Sequence, residues 1–485
     1  MSDKKSIYLP QNDNITLTVD EVEQLYRPYT EYRKEQIRNS ASTIKPSCNG
    51  TAYYFSNNGK PTNDGLSEDT PLDDIERLKE LPLKAGDVVY LERGSLWRKS
   101  IVAMVDGVSY TAYGEGEKPR IYTYSEMASG KGKWLKTDKE NVYKFYKPIP
   151  VANLRCDVAT IVFDDGEKWG IKALANEDNI NITTGKPFTS YKDLDENYHF
   201  WHDIAGTGEL YLYLSDGNPS DLYKNIEISL GRHAIGVKAN NITIDNIHIK
   251  YCGSHGIGVP NMNCTGLTVS NCEFNWIGGC IQFGVVRFGN GVEIWGGAKN
   301  FNIDNCYFNQ IYDAAVTFQF QGKNDTNGIY MENINFTNNV MENCNYSIEY
   351  FLHKSDPELN YIKDVNFEGN IAWYAGYGFC SQRRVKCHNA HIKSWNHGNN
   401  TIGQFSIKNN AFILAKNELV ETYTAYHNTV AEYASNIYVQ FKNCYLGITG
   451  TSYDKVTFTE KNVKEYLGDK TGKIIYVEEL NDEEV

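Results

Sequence analysis

Two short segments carry the residues best suited to chemistry. Gly289-Asn290-Gly291-Val292-Glu293-Ile294-Trp295 and Ile311-Tyr312-Asp313-Ala314-Ala315-Val316-Thr317-Phe318-Gln319 each set a carboxylate beside apolar residues of strand character. Carboxyl groups brought together on one surface can divide acid–base work. One delivers a proton to a leaving oxygen while the other attacks carbon or activates water. A separation of ~5–9 Å is the range from which such a pair cleaves a glycosidic bond. Holding two carboxyls close also drives their pKa values apart, because both cannot easily ionise together, so one pair can supply both protonation states. We expect Glu293 as the acid and Asp313 as the nucleophile or base.

What must position them is a short recurring pattern. Asn241-Ile242-Thr243-Ile244-Asp245-Asn246 returns as Gly266-Leu267-Thr268-Val269-Ser270-Asn271, as Asn300-Phe301-Asn302-Ile303-Asp304-Asn305 and as Asn333-Ile334-Asn335-Phe336-Thr337-Asn338. Weaker echoes start at Asp364 and Gln404. Alternating apolar residues mark a strand and the closing Asn marks a turn. The Asn positions 246, 271, 305 and 338 lie 25, 34 and 33 residues apart. That interval suits a coil of three short strands, stacked so that equivalent strands pair in parallel, and the turn Asn residues are expected to form one inward ladder. The fold class predicted is all-β, a parallel β-helix.

Aligning the next strand of each repeat gives Ile235-Gly236-Val237, Ile257-Gly258-Val259, Val292-Glu293-Ile294, Val316-Thr317-Phe318 and Ile348-Glu349-Tyr350. With the apolar residues inward, Gly236, Gly258, Glu293, Thr317 and Glu349 share one outward row. Lys238, Pro260, Trp295, Gln319 and Phe351 form the next. Coils are about 4.8 Å apart, which puts the backbones of Glu293 and Glu349 roughly 10 Å from each other. Asp313 enters from the turn before the Thr317 strand. Glu349 is the reserve for either catalytic role, and its bland alternative is a solvated strand carboxylate. Asp313 could instead cap its own turn. Expected substrate contacts are His255, Trp295, Thr317, Gln319 and Arg287, although a His beside glycines can equally satisfy a turn and a loop Arg is often only solvated.

Composition narrows the field. The net charge is −13 and no basic run has interleaved aromatics, so nucleic acid is not an expected partner. The 35 Tyr, 20 Phe and 8 Trp offer ring faces against which sugars stack, though most must serve the core. No apolar run reaches membrane-spanning length. The 11 Cys are scattered without paired spacing, so neither a disulfide framework nor a zinc site is expected, and nothing else in the sequence calls for a metal or cofactor. The N-terminus lacks an apolar leader, which points to the cytoplasm, or to secretion if a leader has been removed. Residues 1–50 are expected to form a helical cap over one open end of the stack. Residues 51–440 would be the β-helix, its first regular strand at Gly86–Leu91, with a β-rich insertion at about 128–228 that walls one side of a cleft. Residues 441–485 form a C-terminal segment.

The opening Tyr53-Tyr54-Phe55-Ser56, Asn63-Asp64-Gly65-Leu66-Ser67, Gly86-Asp87 and Arg93-Gly94-Ser95-Leu96-Trp97 joins Tyr113-Gly114, Arg232-His233-Ala234-Ile235, Ser254-His255-Gly256-Ile257 and the two carboxylate segments in a further likeness. Together they resemble right-handed parallel β-helix proteins of the pectate-lyase-like superfamily, and among these the bacterial β-helix glycoside hydrolases. The resemblance spans roughly residues 50–430. It implies a right-handed coil, a carbohydrate partner and glycosidase activity. A polysaccharide lyase or uronate epimerase is the alternative, and a non-catalytic glycan-binding β-helix the second. Lyase chemistry asks for clustered Asp residues around calcium and an Arg or Lys base. The aligned row offers Glu, Thr and Glu, which suits it less.

Overall fold

The computed structural model describes residues 6–10, 15–149, 156–260, 263–320, 328–352, 361–383, 389–395, 404–422, 431–449 and 454–478. They build a right-handed parallel β-helix with three strands to a coil. Ile242, Leu267, Phe301, Ile334, Val365 and Phe405 pair in register along a ten-stranded sheet and are all buried. The alternation read from the sequence is therefore the alternation between core and surface. The other two faces belong to one nineteen-stranded sheet, because Tyr307–Phe320 and Val340–Leu352 run without a break around the corner between them. Stacked rings such as Phe274 on Phe308, 4.6 Å apart, fill the core from coil to coil. The array starts one coil earlier than expected, at Ala52–Phe55, which pairs with Val88–Glu92.

The Asn ladder is displaced by one residue from its expected place. Asn246, Asn271, Asn305 and Asn338 do take left-handed backbone, with φ between 52° and 56°. Their side chains, however, stay outside the core. Asn271 donates to Asp245, Asn305 to Asn271 and Asn338 to Asp304, while Asn246 is covered by Ser40 and Lys118. The turn aims the following residue inward instead: Ile247, Cys272, Cys306 and then Asn339. From Asn339 a buried ladder climbs through Asn370, Asn410 and Asn436, each Nδ2 donating to the next Oδ1 at 3.0 Å, and ends on Asp469.

The N-terminal helix, Val19–Arg38, is not an end cap. Thr18 and Glu21 close a capping box at its start, and it then lies lengthwise across the outside of the stack. Val22 and Tyr26 pack on Ile371, Trp373, Ala411, Ile413 and Ile437, while Ile37 reaches Tyr307 and Val340. Those strands turn apolar side chains outward, and the helix covers them. Lys34 pairs with Glu342 at 2.9 Å, and Arg27 sits 4.0 Å over the Trp373 ring. Ahead of the helix, Ile15–Leu17 pairs in parallel with Lys473–Val477. The stack ends are covered by Leu72 and Ile75 on one side and by Phe458, Val463 and Leu467 on the other.

Three excursions leave the same corner of the coil. They fall between Arg120–Ile121 and Ile235–Val237, between Glu273–Ile277 and Val292–Trp295, and between Ile371–Ala375 and Ala390–Ser394. The first is an inserted lobe. Five- and four-stranded, largely antiparallel sheets enclose its own core of Phe145, Phe163, Phe200, Leu212 and Ile226. The second is a hairpin, Ile281–Gln282 with Val286–Arg287, and the third carries the 3₁₀ turn Gly378–Gln382.

Because Asn370 donates and accepts inside the core, Asn370→Ala leaves buried partners unpaired and is expected to cost about 3 kcal/mol of stability. Asn338→Gly keeps the left-handed turn, loses only an outer bond, and is expected to cost under about 1 kcal/mol. Denaturant unfolding of both variants checks the ladder, and equal losses would contradict it.

Candidate active site

The outward row seen in the sequence is continuous in space. Gly236, Gly258, Glu293, Thr317, Glu349, Lys393 and Glu421 are successive register partners. Pro260, Trp295, Gln319 and Phe351 pair in the row beside it. Although this row faces away from the core, Glu293 is only 6% exposed and Glu349 3%. They lie on the floor of a cavity of about 520 Å³, whose walls include Phe288 and Arg287 from the hairpin and Arg383 from the third excursion.

The inserted lobe buttresses those walls. Asp157 accepts from the Ile281 amide at 2.6 Å, and Lys172 donates to the Gly279 carbonyl at 2.6 Å, which fixes the root of the hairpin. Gln382 donates to Gly170 O and accepts from the Lys172 amide, which ties the third excursion to the same lobe.

Around Glu293 the donors are fixed. The Asn290 Oδ1 accepts from the Ala314 amide at 2.8 Å, so its Nδ2 must face the Glu293 carboxyl, to which it donates. Gln319 Nε2 lies 3.2 Å from both Glu293 oxygens. His255 Nδ1 is 3.5 Å from Glu293, yet it already accepts from the Asn290 amide at 3.0 Å. Burial pushes this imidazole down to about 3, so it is neutral with its proton on Nε2, and the contact is not an ion pair. His255 stacks on His233 with ring centres 5.1 Å apart. Asp313 lies at the corner of Tyr307–Phe320, where the register slips between Ile311 and Ala314. Its Oδ2 accepts from Arg383 Nη2 at 2.5 Å, and among the described residues its Oδ1 has no hydrogen-bond partner.

Burial separates the carboxyls electrically. Desolvation raises Glu293 to about 7, against the two amide donors, with Asp313 adding repulsion. Glu349 is raised to about 8, by desolvation first and by Asp313 next; its partners are Trp395 Nε1 and, at 3.5 Å, the Thr317 hydroxyl. Asp313 is paired with the Arg383 guanidinium at 2.5 Å. The cavity therefore holds two carboxyls raised by burial beside one paired with a guanidinium.

Of the residues expected from sequence, Glu293, Asp313, Glu349, His255, Trp295, Gln319 and Arg287 line this one cavity. Thr317 does not. It is fully buried under the floor between the two Glu residues, so it supports Glu349 and is not a substrate contact. Sequence reasoning missed Arg383, Trp395, Asn290 and His233. Trp395 was within reach: Ile392-Lys393-Ser394 repeats the strand pattern, and the next outward position is Trp395. Arg383 shares with Arg287 a place in a glycine-bearing corner excursion, a weaker signal.

Fold and site define a right-handed parallel β-helix with a carboxylate-floored cavity on one face. No protein-family model matches the chain, and no curated protein matches it by sequence. Solved structures that resemble it include XylC in complex with xylose, at 11% identity over 82% of this chain and 69% of that one, TM-score 0.47. A GH136 lacto-N-biosidase from Eubacterium ramulus is 12% identical over 94% and 71%, TM-score 0.39. The Family 28 exopolygalacturonase of Yersinia enterocolitica is 11% identical over 90% and 72%, TM-score 0.37. At these values the site has to be read from its own geometry.

The raised carboxyls make stability depend on pH. Below 4.5 both states hold the Glu293 and Glu349 protons; from there to about 7 and 8 the unfolded chain releases them first. Rising pH therefore favours unfolding across that window and adds nothing above it. For Glu293 alone the loss is on the order of 3 kcal/mol. Unfolding free energies across the window should fall less steeply in Glu293→Gln than in the unaltered protein; parallel curves would mean that Glu293 is not protonated in the fold.

Proposed function

We propose that the chain is a glycoside hydrolase in which Glu293 protonates the leaving oxygen and Asp313 attacks the anomeric carbon or activates water. The observation that carries this reading is one buried carboxyl raised to about 7 beside an ion-paired carboxylate in one cavity. General acid catalysis needs a group that still holds its proton near neutral pH, and the second step needs one that does not. The cavity volume falls in the range of small-ligand sites, and Trp295, Trp395, Phe288 and Phe351 are among the residues that line it. Glu349, raised to about 8, is a second proton donor on the same floor.

The lyase or epimerase reading gains from Arg287 on the wall, which a sugar carboxylate would meet. It loses because Arg383, the other guanidinium, is engaged by Asp313 and so is not set to neutralise a uronate. A rise in absorbance from unsaturated uronate during digestion would select that reading over hydrolysis, and bound sugar with no turnover would select a binding protein.

On a panel of chromogenic glycosides, turnover by the intact protein should be bell-shaped in pH, with the basic limb near 7 set by Glu293. Glu293→Gln and Asp313→Asn should each lower kcat by a factor of at least about 100 and remove one limb without unfolding the protein. Retention of near-normal activity by both would dismiss the pair and leave Glu349 to be tested.

Trp295 is half-buried, edge-on to Phe320 at 6.0 Å. Trp295→Ala should raise KM more than it lowers the melting temperature. A variant whose main defect is a lowered melting temperature would make Trp295 a packing residue.

A further inference from the structure

We propose that Arg383 is a positioning residue that keeps Asp313 ionised and aimed into the cavity, and that the inserted lobe fixes Arg383 in place through Gln382. This deepens the hydrolase reading and rests on it for the role of Asp313. The ion pair itself does not depend on it.

Arg383 is 5% exposed; its guanidinium donates to Asp313 Oδ2 and lies 5.5 Å from the centre of the Tyr346 ring. Among the described residues its Nε and Nη1 have no hydrogen-bond partner, although a guanidinium offers five N–H donors. Burying a cation with most of its donors unused is costly, and replacing such a pair with apolar residues is often neutral or stabilising. The fold gains little from the pair as a structural device. What the pair does is hold one negative charge among groups that burial would otherwise discharge. Desolvation acts on Glu293 and Glu349 in the same cavity, and among the described residues neither has a cation bonded to it. Asp313 differs from them by the guanidinium 2.5 Å away.

The backbone around Arg383 is held from outside the coil stack. Its amide donates to Cys380 O at 2.9 Å, closing the 3₁₀ turn. The neighbouring Gln382 uses both ends of its amide on the inserted lobe: Nε2 donates to Gly170 O at 3.1 Å and Oε1 accepts from Lys172 N at 2.8 Å. Phe379 packs with Tyr312, the residue before Asp313, and its amide donates to Gln310. The excursion is thus pinned on one side to the lobe and on the other to the strand that carries Asp313. A shift of the lobe would move the guanidinium against the carboxylate.

The test is the titration of Asp313, followed by carboxyl-carbon NMR on the full-length protein with labelled aspartate, its signal assigned by loss in Asp313→Asn. Arg383→Met should shift the Asp313 midpoint upward by about one to three pH units, and Arg383→Lys should restore most of that shift. Gln382→Ala, which leaves the guanidinium present, should give a smaller upward shift with little change in melting temperature. If Arg383→Met fails to fold, Arg383→Gln, which also removes the charge but keeps a polar side chain, takes its place. An Asp313 midpoint in Gln382→Ala equal to that of the unaltered protein overturns the role of the lobe. An unchanged midpoint in Arg383→Met, or in Arg383→Gln where Arg383→Met does not fold, overturns the positioning role itself. None of these readings needs a substrate, so absence of glycoside turnover by the intact protein would dismiss the hydrolase reading while leaving this titration to stand or fall alone.

Discussion

The ion pair between Asp313 and Arg383 sets the character of the cavity. Glu293, Asp313 and Glu349 are all buried there, and isolated carboxylates removed from water revert to the neutral acid. With one guanidinium bound to Asp313, the charge has a place to stay. The other two carboxyls then meet both desolvation and the repulsion of Asp313, and their pKa values rise. Functional division among chemically similar groups comes from environment, a consequence of where each one is held.

Holding them is the work of the coil. Parallel pairing brings Glu293, Thr317 and Glu349 into file on successive strands, so their spacing follows from the backbone and needs no loop to define it. Asp313 enters from the corner, where the register slips, and the corner is also where the three excursions leave the stack. A bare β-helix face would leave its outward row in water. The excursions turn this stretch of it into a cavity, and the inserted lobe is hydrogen-bonded to two of their segments.

Much of this was legible in the sequence because a period of two fixes which residues face outward, and a repeated strand fixes which of them lie side by side. Glu293, Trp295, Gln319 and Glu349 followed from those two facts alone. The Asn ladder failed by one position because a left-handed turn residue tells where the chain bends and leaves open which side chain enters the core; Asn339 and not Asn338 does so. The helix Val19–Arg38 was recognised from its composition, but its place depended on the apolar outer face around Trp373, which no local pattern announces. Thr317 was taken for a contact because its row was right; its depth under the floor depended on the walls. Arg383 was invisible for the related reason that its partner lies 70 residues away and the two meet only through the excursions.

Neutron diffraction from crystals held at a pH below 7 would test the central claim most directly, because it reads the protons on each carboxyl. A deuterium on Glu293 and none on Asp313 is the result expected. A deuterium on Asp313, or an ionised Glu293, would contradict the division of charge on which the proposed chemistry stands.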